Sequence, residues 1–166
     1  MGVTMWIWIA IGVGMPAGLA LVCGLFLLVV MRTGYAPGLA VVRRFNRRVT
    51  NPRAMKTAGR PGANASVVRH TGRSSGNAYE TPVGITETGD HFLISLPYGT
   101  TPDWLRNVVA AGSAEVIHEG ASYRVTEPEL VPAASVAQDQ SKSERFGLWL
   151  FGVDQVLRLR KTRIEP

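Results

Sequence analysis

The stretch His70-Thr-Gly-Arg-Ser-Ser-Gly-Asn-Ala-Tyr-Glu-Thr-Pro82, HTGRSSGNAYETP, decides between two folds. Its core, GRSSG at 72–76, satisfies the G-x-S-x-G pattern of a nucleophile elbow, where a serine sits on a sharp turn from a strand into a helix. An elbow needs a helix directly after Gly76 and a parallel sheet supplied by alternating helices. The residues after Gly76 are Asn-Ala-Tyr-Glu-Thr-Pro, and Pro82 with its β-branched neighbours opposes a helix. Partners for Ser74 exist in Asp90 or Asp103 followed by His91 or His118, but three histidines in a small domain supply such combinations by chance. The stretch therefore reads as a strand-to-strand turn. Such a turn is either a plain hairpin connection with a solvated arginine, or a place where Arg69, Arg73, Ser74, Ser75 and backbone amides converge on an anion.

Outward from this turn, the chain alternates short β-branched or aromatic runs with Gly, Pro, Asn and Asp. Ser66–His70, Tyr79–Thr86, His91–Leu96, Ala114–His118 and Ser122–Val125 read as strands. Between the third and fourth lies a short helix over 102–111, with Thr101 as N-cap, Pro102 at its first position and Gly112 at its end. Trp104, Val108 and Ala111 form its expected apolar stripe, and its N-terminus offers a second place for an anion, opposed by Asp103. Residues 133–143 read as a polar linker. From Glu144 to Arg160, Phe146, Trp149, Leu150, Val153 and Leu157 recur at helical spacing and predict a terminal amphipathic helix. A succession of short strands with one inserted helix predicts a mainly β (α+β) small barrel with helical decorations.

The N-terminal part is of another kind. No charged side chain occurs from Gly2 to Met31, and the apolar run 5–31 is long enough to cross a bilayer, with Pro16 a place for a bend. Trp6 and Trp8 stand at one end as interfacial aromatics do, and no basic residue precedes the run as a cleaved signal peptide would require. Residues 1–79 hold ten Lys/Arg and no Asp/Glu, while 80–166 hold eight and twelve, so the net charge of +6 hides a strong asymmetry. By the positive-inside rule the cluster from Arg32 through Arg60 places residues 32–166 in the cytoplasm and the N-terminus outside. The basic 43–60 segment is expected to meet anionic headgroups rather than nucleic acid, since no aromatic stacking platform accompanies it. Leu39, Val42, Phe45, Asn46 and Val49 predict an amphipathic helix that Asn51-Pro52 ends; it lies either on the membrane or against the domain. Cys23 is the only cysteine, so no disulfide framework or metal cluster is expected. The expected organisation is an anchor over 1–32, a basic helix and linker over 33–63, a barrel over 64–132, and a linker with helix over 133–166.

A succession of motifs narrows this further. His70-x-Gly-Arg-x-Ser-Gly76 is followed by Thr81-Pro82-Val83, Ser95-Leu-Pro-Tyr-Gly99, Asp103-Trp104-x-Arg-Asn107-Val108 with Ala110-Ala111-Gly112, and Tyr123-Arg-Val-x-x-Pro128. Over about residues 45–132 this order resembles the actinobacterial deazaflavin-dependent nitroreductase-like proteins, a family with a split β-barrel fold of the FMN-binding kind. The resemblance implies coenzyme F420 as cofactor, with FMN as second choice. Carried over by position, Gly72, Arg73, Ser75 and Gly76 would hold its phosphate side, and Ser95, Tyr98, Gly99, Pro102, Trp104 and Asn107 would border the ring. Tyr98 or Ser95 would donate a hydrogen bond to an acceptor such as a quinone, an enone or a nitro compound. Where the family places two further basic residues, this chain has Tyr79 and Leu96. Arg69 and Arg106 are the candidates to replace them. The rival expectation is a non-catalytic barrel holding a lipid, haem or apolar ligand at the membrane. Split barrels of this kind often pair, so a homodimer is also implied.

Overall fold

A computed structural model describes residues 15–164, which leaves Trp6, Trp8 and the start of the apolar run outside the described residues. Helix α1, Met15–Thr33, is long and apolar enough to cross a membrane, and Val30 is its one buried residue. Pro16 falls in the first described turn of this helix. Gly34, at φ +64°, turns the chain into α2, Ala36–Phe45. The two helices meet where Val30 packs on Gly38, so closely that a Cβ on Gly38 would lie 2.6 Å from a Val30 methyl.

The basic helix does not end at Asn51-Pro52. A π-helical turn over Asn46–Thr50 carries it into α3, Asn51–Ala54. Proline lacks a donor and crowds the preceding turn, and a widened turn immediately before it relieves both problems. The apolar positions divide: Val42 is buried, whereas Val41 and Phe45 face outward.

Seven antiparallel strands complete the domain: β1 (Ser66–Thr71), β2 (Ala78–Val83), β3 (Thr86–Thr88), β4 (His91–Ser95), β5 (Ser113–His118), β6 (Ala121–Pro132) and β7 (Gln155–Arg163). They form one sheet in the order β2-β1-β5-β6-β7-β4-β3. Glu87 on β3 pairs with Lys161 on β7 and lies 3.6 Å from His118 Nε2 on β5. In a flat sheet β3 and β5 would stand about 19 Å apart at roughly 4.8 Å per strand, so this sheet curls into the expected open barrel. Inside the curl, Val68, Phe92, Ile94, Val116, Val125 and Leu157 are buried together, and α4 (Asp103–Ala111) adds Leu105 and Val108. Lys161 runs its stem into this end of the core, with its ammonium 5.0 Å from the Phe92 ring and beside Glu87.

Several expectations are corrected. The 79–86 strand is interrupted at Gly84–Ile85 and becomes β2 and β3. Pro102 rather than Thr101 precedes α4, without a side-chain cap, and its buried stripe is Leu105, Asn107 and Val108; Ala111 is exposed. Residues 133–139 form a 3₁₀ helix that buries Val136, instead of a mobile linker. The terminal helix is α5, Lys142–Phe151, opened by a Ser141–Glu144 capping box and closed by Gly152 at φ +63°. Beyond it the chain becomes β7, which lies between β6 and β4 with Val156, Leu157 and Leu159 fully buried.

Candidate functional site

The turn after β1 is tight by necessity. Gly72 is buried, and a Cβ there would overlap Ser75 Oγ and come within 2.7 Å of Tyr79 Cε2. Its amide donates to Asn77 O, the Gly76 amide donates back to Gly72 O, and Gly76 takes φ +66°. Ser75 Oγ lies 3.1 Å from the Tyr79 hydroxyl and accepts from the Asn77 amide at 3.3 Å. No helix comes after the turn, and Ser74 has no hydrogen bond to a histidine among the described residues, so the elbow geometry is absent there.

Arg73 reaches across to α4. Its backbone amide donates to Asn107 Oδ1 at 3.2 Å and its Nη1 donates to the same oxygen at 2.9 Å. Its Nη1 and Nη2 also donate to Asp103 Oδ1 at 3.3 and 3.2 Å. The Asn107 amide nitrogen lies 3.2 Å from His70 Nδ1, and His70 Nε2 lies 3.1 Å from Thr81 Oγ1. One proton arrangement satisfies the chain: Asn107 donates to Nδ1, so neutral His70 carries its proton on Nε2 and donates to Thr81. Burial holds the His70 imidazole below its ordinary pKa, in keeping with the neutral form. Tyr79 stacks on His70 with ring centroids 5.8 Å apart.

The ring-side residues form a second group. The loop after β4 carries Tyr98, whose oxygen accepts from Asn46 Nδ2 at 2.5 Å, and Thr101, whose hydroxyl accepts from Arg43 Nη1 at 2.6 Å. The basic helix is thus bonded to the loop that leads into α4. Burial pushes the Tyr98 phenol up, partly offset by the Asn46 hydrogen bond, so it remains protonated at neutral pH. Gly99 takes φ +68° and lets the loop turn. Trp104 is half-buried against the barrel core, and Ser95 is exposed at the end of β4 with no hydrogen bond to Tyr98 among the described residues.

The structure thus joins Gly72, Arg73, Ser75 and Asn107 through α4, and ties Tyr98 to the basic helix; Ser95 stands apart. Arg69 is taken up by Glu80 at 2.8 Å and Glu115 at 3.1 Å, and Arg106 is exposed on α4. An open groove of about 690 Å³ lies over Arg69, Tyr79, Glu80 and Glu115, meeting the site at the His70–Tyr79 edge only. Among the described residues no cluster of His, Cys, Asp or Glu could hold a metal ion. Sequence reasoning missed the roles of Asn46 and His70 as partners. Both were legible as polar residues on apolar registers, Asn46 after Leu39 and Val42, His70 two places after Val68.

Residues 41–146, well over half of the chain, match the family model described as F420H(2)-dependent quinone reductase. No curated protein matches. Among solved structures, an F420 reductase is 14% identical with a TM-score of 0.41, over 64% of this chain and 91% of that one. An F420-H2 dependent reductase, FDR-A, is 15% identical with a TM-score of 0.37, over 58% and 94%. A protein from Clostridium acetobutylicum related to general stress protein 26, of the pyridoxinephosphate oxidase family, is 11% identical with a TM-score of 0.42, over 72% and 84%.

Proposed function

The chain belongs to the F420H(2)-dependent quinone reductase family, and from that premise we propose a membrane-anchored reductase that passes hydride from reduced F420 to a quinone, enone or nitro-type acceptor. Membership makes it an F420-dependent oxidoreductase. The observation that carries the finer reading is the tether of the Gly72–Gly76 turn to α4 through Arg73 and Asn107.

The residues suit the phosphate side of such a coenzyme. Gly72 lets the turn close tightly on Ser75 and Tyr79, and the Ser74 and Ser75 amides have no acceptor among the described residues, so these two donors are open to an anion. Arg73 supplies a charged fork beside them, held in place by Asn107. Asp103 competes with an incoming phosphate for that fork. When bound, reduced F420 supplies the hydride from its deazaflavin ring. The chain supplies position and polarity: the Asn46 amide occupies a lone pair of the Tyr98 oxygen and leaves the phenol proton available to an acceptor oxygen.

The anchor is α1, exposed along nearly its whole length, with Arg32 in its last turn and the basic helix following after Gly34. That arrangement favours a lipid-soluble acceptor reaching the loop of Tyr98 from the membrane side, with the barrel in the cytoplasm. The test is equilibrium binding of F420 to the full chain, followed by fluorescence quenching. Submillimolar binding is expected, and Arg73→Ala should weaken it by about 1.5–3 kcal/mol, the range for hydrogen bonds to a charged group. Unchanged affinity would remove the phosphate from this turn, and absence of binding would favour the rival, a non-catalytic barrel.

A further inference from the structure

Helix α5 has two dissimilar faces. One faces the protein: Leu148, Leu150 and Phe151 are half-buried, and Glu144 accepts from Thr86 Oγ1 on β3. The other presents Phe146 and Trp149, 58% and 63% exposed, with ring centroids 5.8 Å apart. A pair of adjacent, open aromatics on a surface helix calls for something to cover it.

The end of α5 is fixed to the end of α1. Arg32 Nη1 donates to the carbonyls of Trp149 and Leu150 in the last turn of α5 at 2.8 and 3.2 Å; Trp149 O also accepts from the Gly152 amide at 3.3 Å. The Arg32 guanidinium also lies 5.3 Å from the Trp149 ring centre, and Gly152 packs on the Arg32 backbone. Arg32 is the first charge after the apolar run. Arg32 lies in the last turn of α1, so a spanning α1 delivers it to the headgroup layer.

We propose that α5 is a second membrane-contacting element, with Phe146 and Trp149 seated at the headgroup–acyl boundary of the bilayer that α1 crosses. This rests on the reading of α1 as a span. Depth is what selects lipid as the occupant: a tryptophan hydrogen-bonded through its carbonyl to a residue at the end of a span lies where interfacial aromatics lie. Lys142 and Arg145 add positive charge on the exposed part of the same helix, suited to anionic headgroups. Two side chains offer far less than the roughly 800 Å² per partner of a stable protein interface, which disfavours a second copy. Because Glu144 ties α5 to β3, the contact gives the barrel a second point of attachment and sets its tilt on the membrane.

The test uses the full chain carrying Cys23→Ser, reconstituted in phosphatidylcholine–phosphatidylglycerol vesicles, with a polarity-sensitive fluorophore on Phe146→Cys, Trp149→Cys or, as control, Arg124→Cys on β6. Lipids bearing a nitroxide near the top of the acyl chain should quench the label at 146 and at 149 and leave that at 124 bright. If the protein floats with the vesicles and all three labels respond only to an aqueous quencher, the proposal fails while the anchor stands. Protein that does not float removes the anchor and the proposal together. Self-quenching between labels at 149 that grows with protein density would assign the face to a second copy and overturn the lipid contact.

Discussion

Replacing Asn107 by alanine separates a structural amide from a coenzyme-holding one. In the parent, Asn107 Oδ1 accepts from the Arg73 amide and guanidinium, and its nitrogen donates to His70 Nδ1. Both Asn107 and His70 are buried, at 5% and 8% exposure, so alanine leaves Nδ1 without a partner and out of reach of bulk water. An unsatisfied buried group costs about 1–3 kcal/mol, while the Arg73 side, one-third exposed, recovers most of its loss from water. The expected destabilisation is about 2 kcal/mol, lowering Tm by about 6–10 °C in a domain of this size. Arg73 is then no longer held, and F420 affinity should fall about 5–30-fold, the equivalent of roughly 1–2 kcal/mol. Asn107→Asp is the comparator. Its carboxylate still accepts from Arg73 and, after a tautomer change, from His70 Nδ1–H, with Thr81 donating to Nε2. Tm should be largely retained while the added negative charge still weakens coenzyme binding. Thermal unfolding and fluorescence titration read the two quantities independently. A Tm within about 2 °C of the parent and an unchanged Kd for Asn107→Ala would refute the reasoning.

Asp103→Asn removes the anion that competes for Arg73; the exposed pair contributes under about 1 kcal/mol, so F420 should bind up to about fivefold more tightly with little change in Tm. Tyr98→Phe should lower kcat about 10–100-fold, the effect of losing a hydrogen bond of roughly 1.5–3 kcal/mol to developing charge, while the KM for F420 holds in steady-state assays. His70 supplies a pH dependence. Its folded pKa is below the unfolded value, so the stability from neutral His70 is fully present above about pH 6.5 and is lost as pH falls toward the folded value. Thermal unfolding should therefore show stability falling with acid by at most about 1.4 kcal/mol per pH unit in that window, a slope that His70→Gln should flatten.

The parts of the fold legible in sequence were those where local chemistry and tertiary role agree. β1, β4 and β5 announce themselves by β-branched runs between turn residues, and α4 by Pro102 and Gly112. The tail misled because Phe146, Trp149, Leu150, Val153 and Leu157 fall at helical spacing across two elements. Only Gly152, taking the left-handed conformation, marks where the helix stops. Buried Val136 orders a segment whose composition is that of a linker. At the site, Arg73 and Gly72 could be singled out from the motif, but not Arg73's bonds to Asp103 and Asn107, 30 and 34 residues away. Partners at that separation depend on how α4 lies across β1, which no local pattern encodes. For the same reason Arg69 looked like a spare base until Glu80 and Glu115 were seen beside it.

The place of β7 in the sheet bears on how the protein is made. Among the described residues β4 pairs with β3 and β7 and β6 with β5 and β7, so β7, the last described strand, joins two pieces that otherwise share no backbone ladder there. During synthesis α1 emerges before the strands, and the four-stranded part β2-β1-β5-β6 and the β3–β4 hairpin must wait with open edges until residues 155–163 arrive. A ribosome stalled shortly before Gln155 would hold a chain with its barrel unsealed and exposed to proteases and chaperones. Completion of this fold therefore waits on residues 155–163.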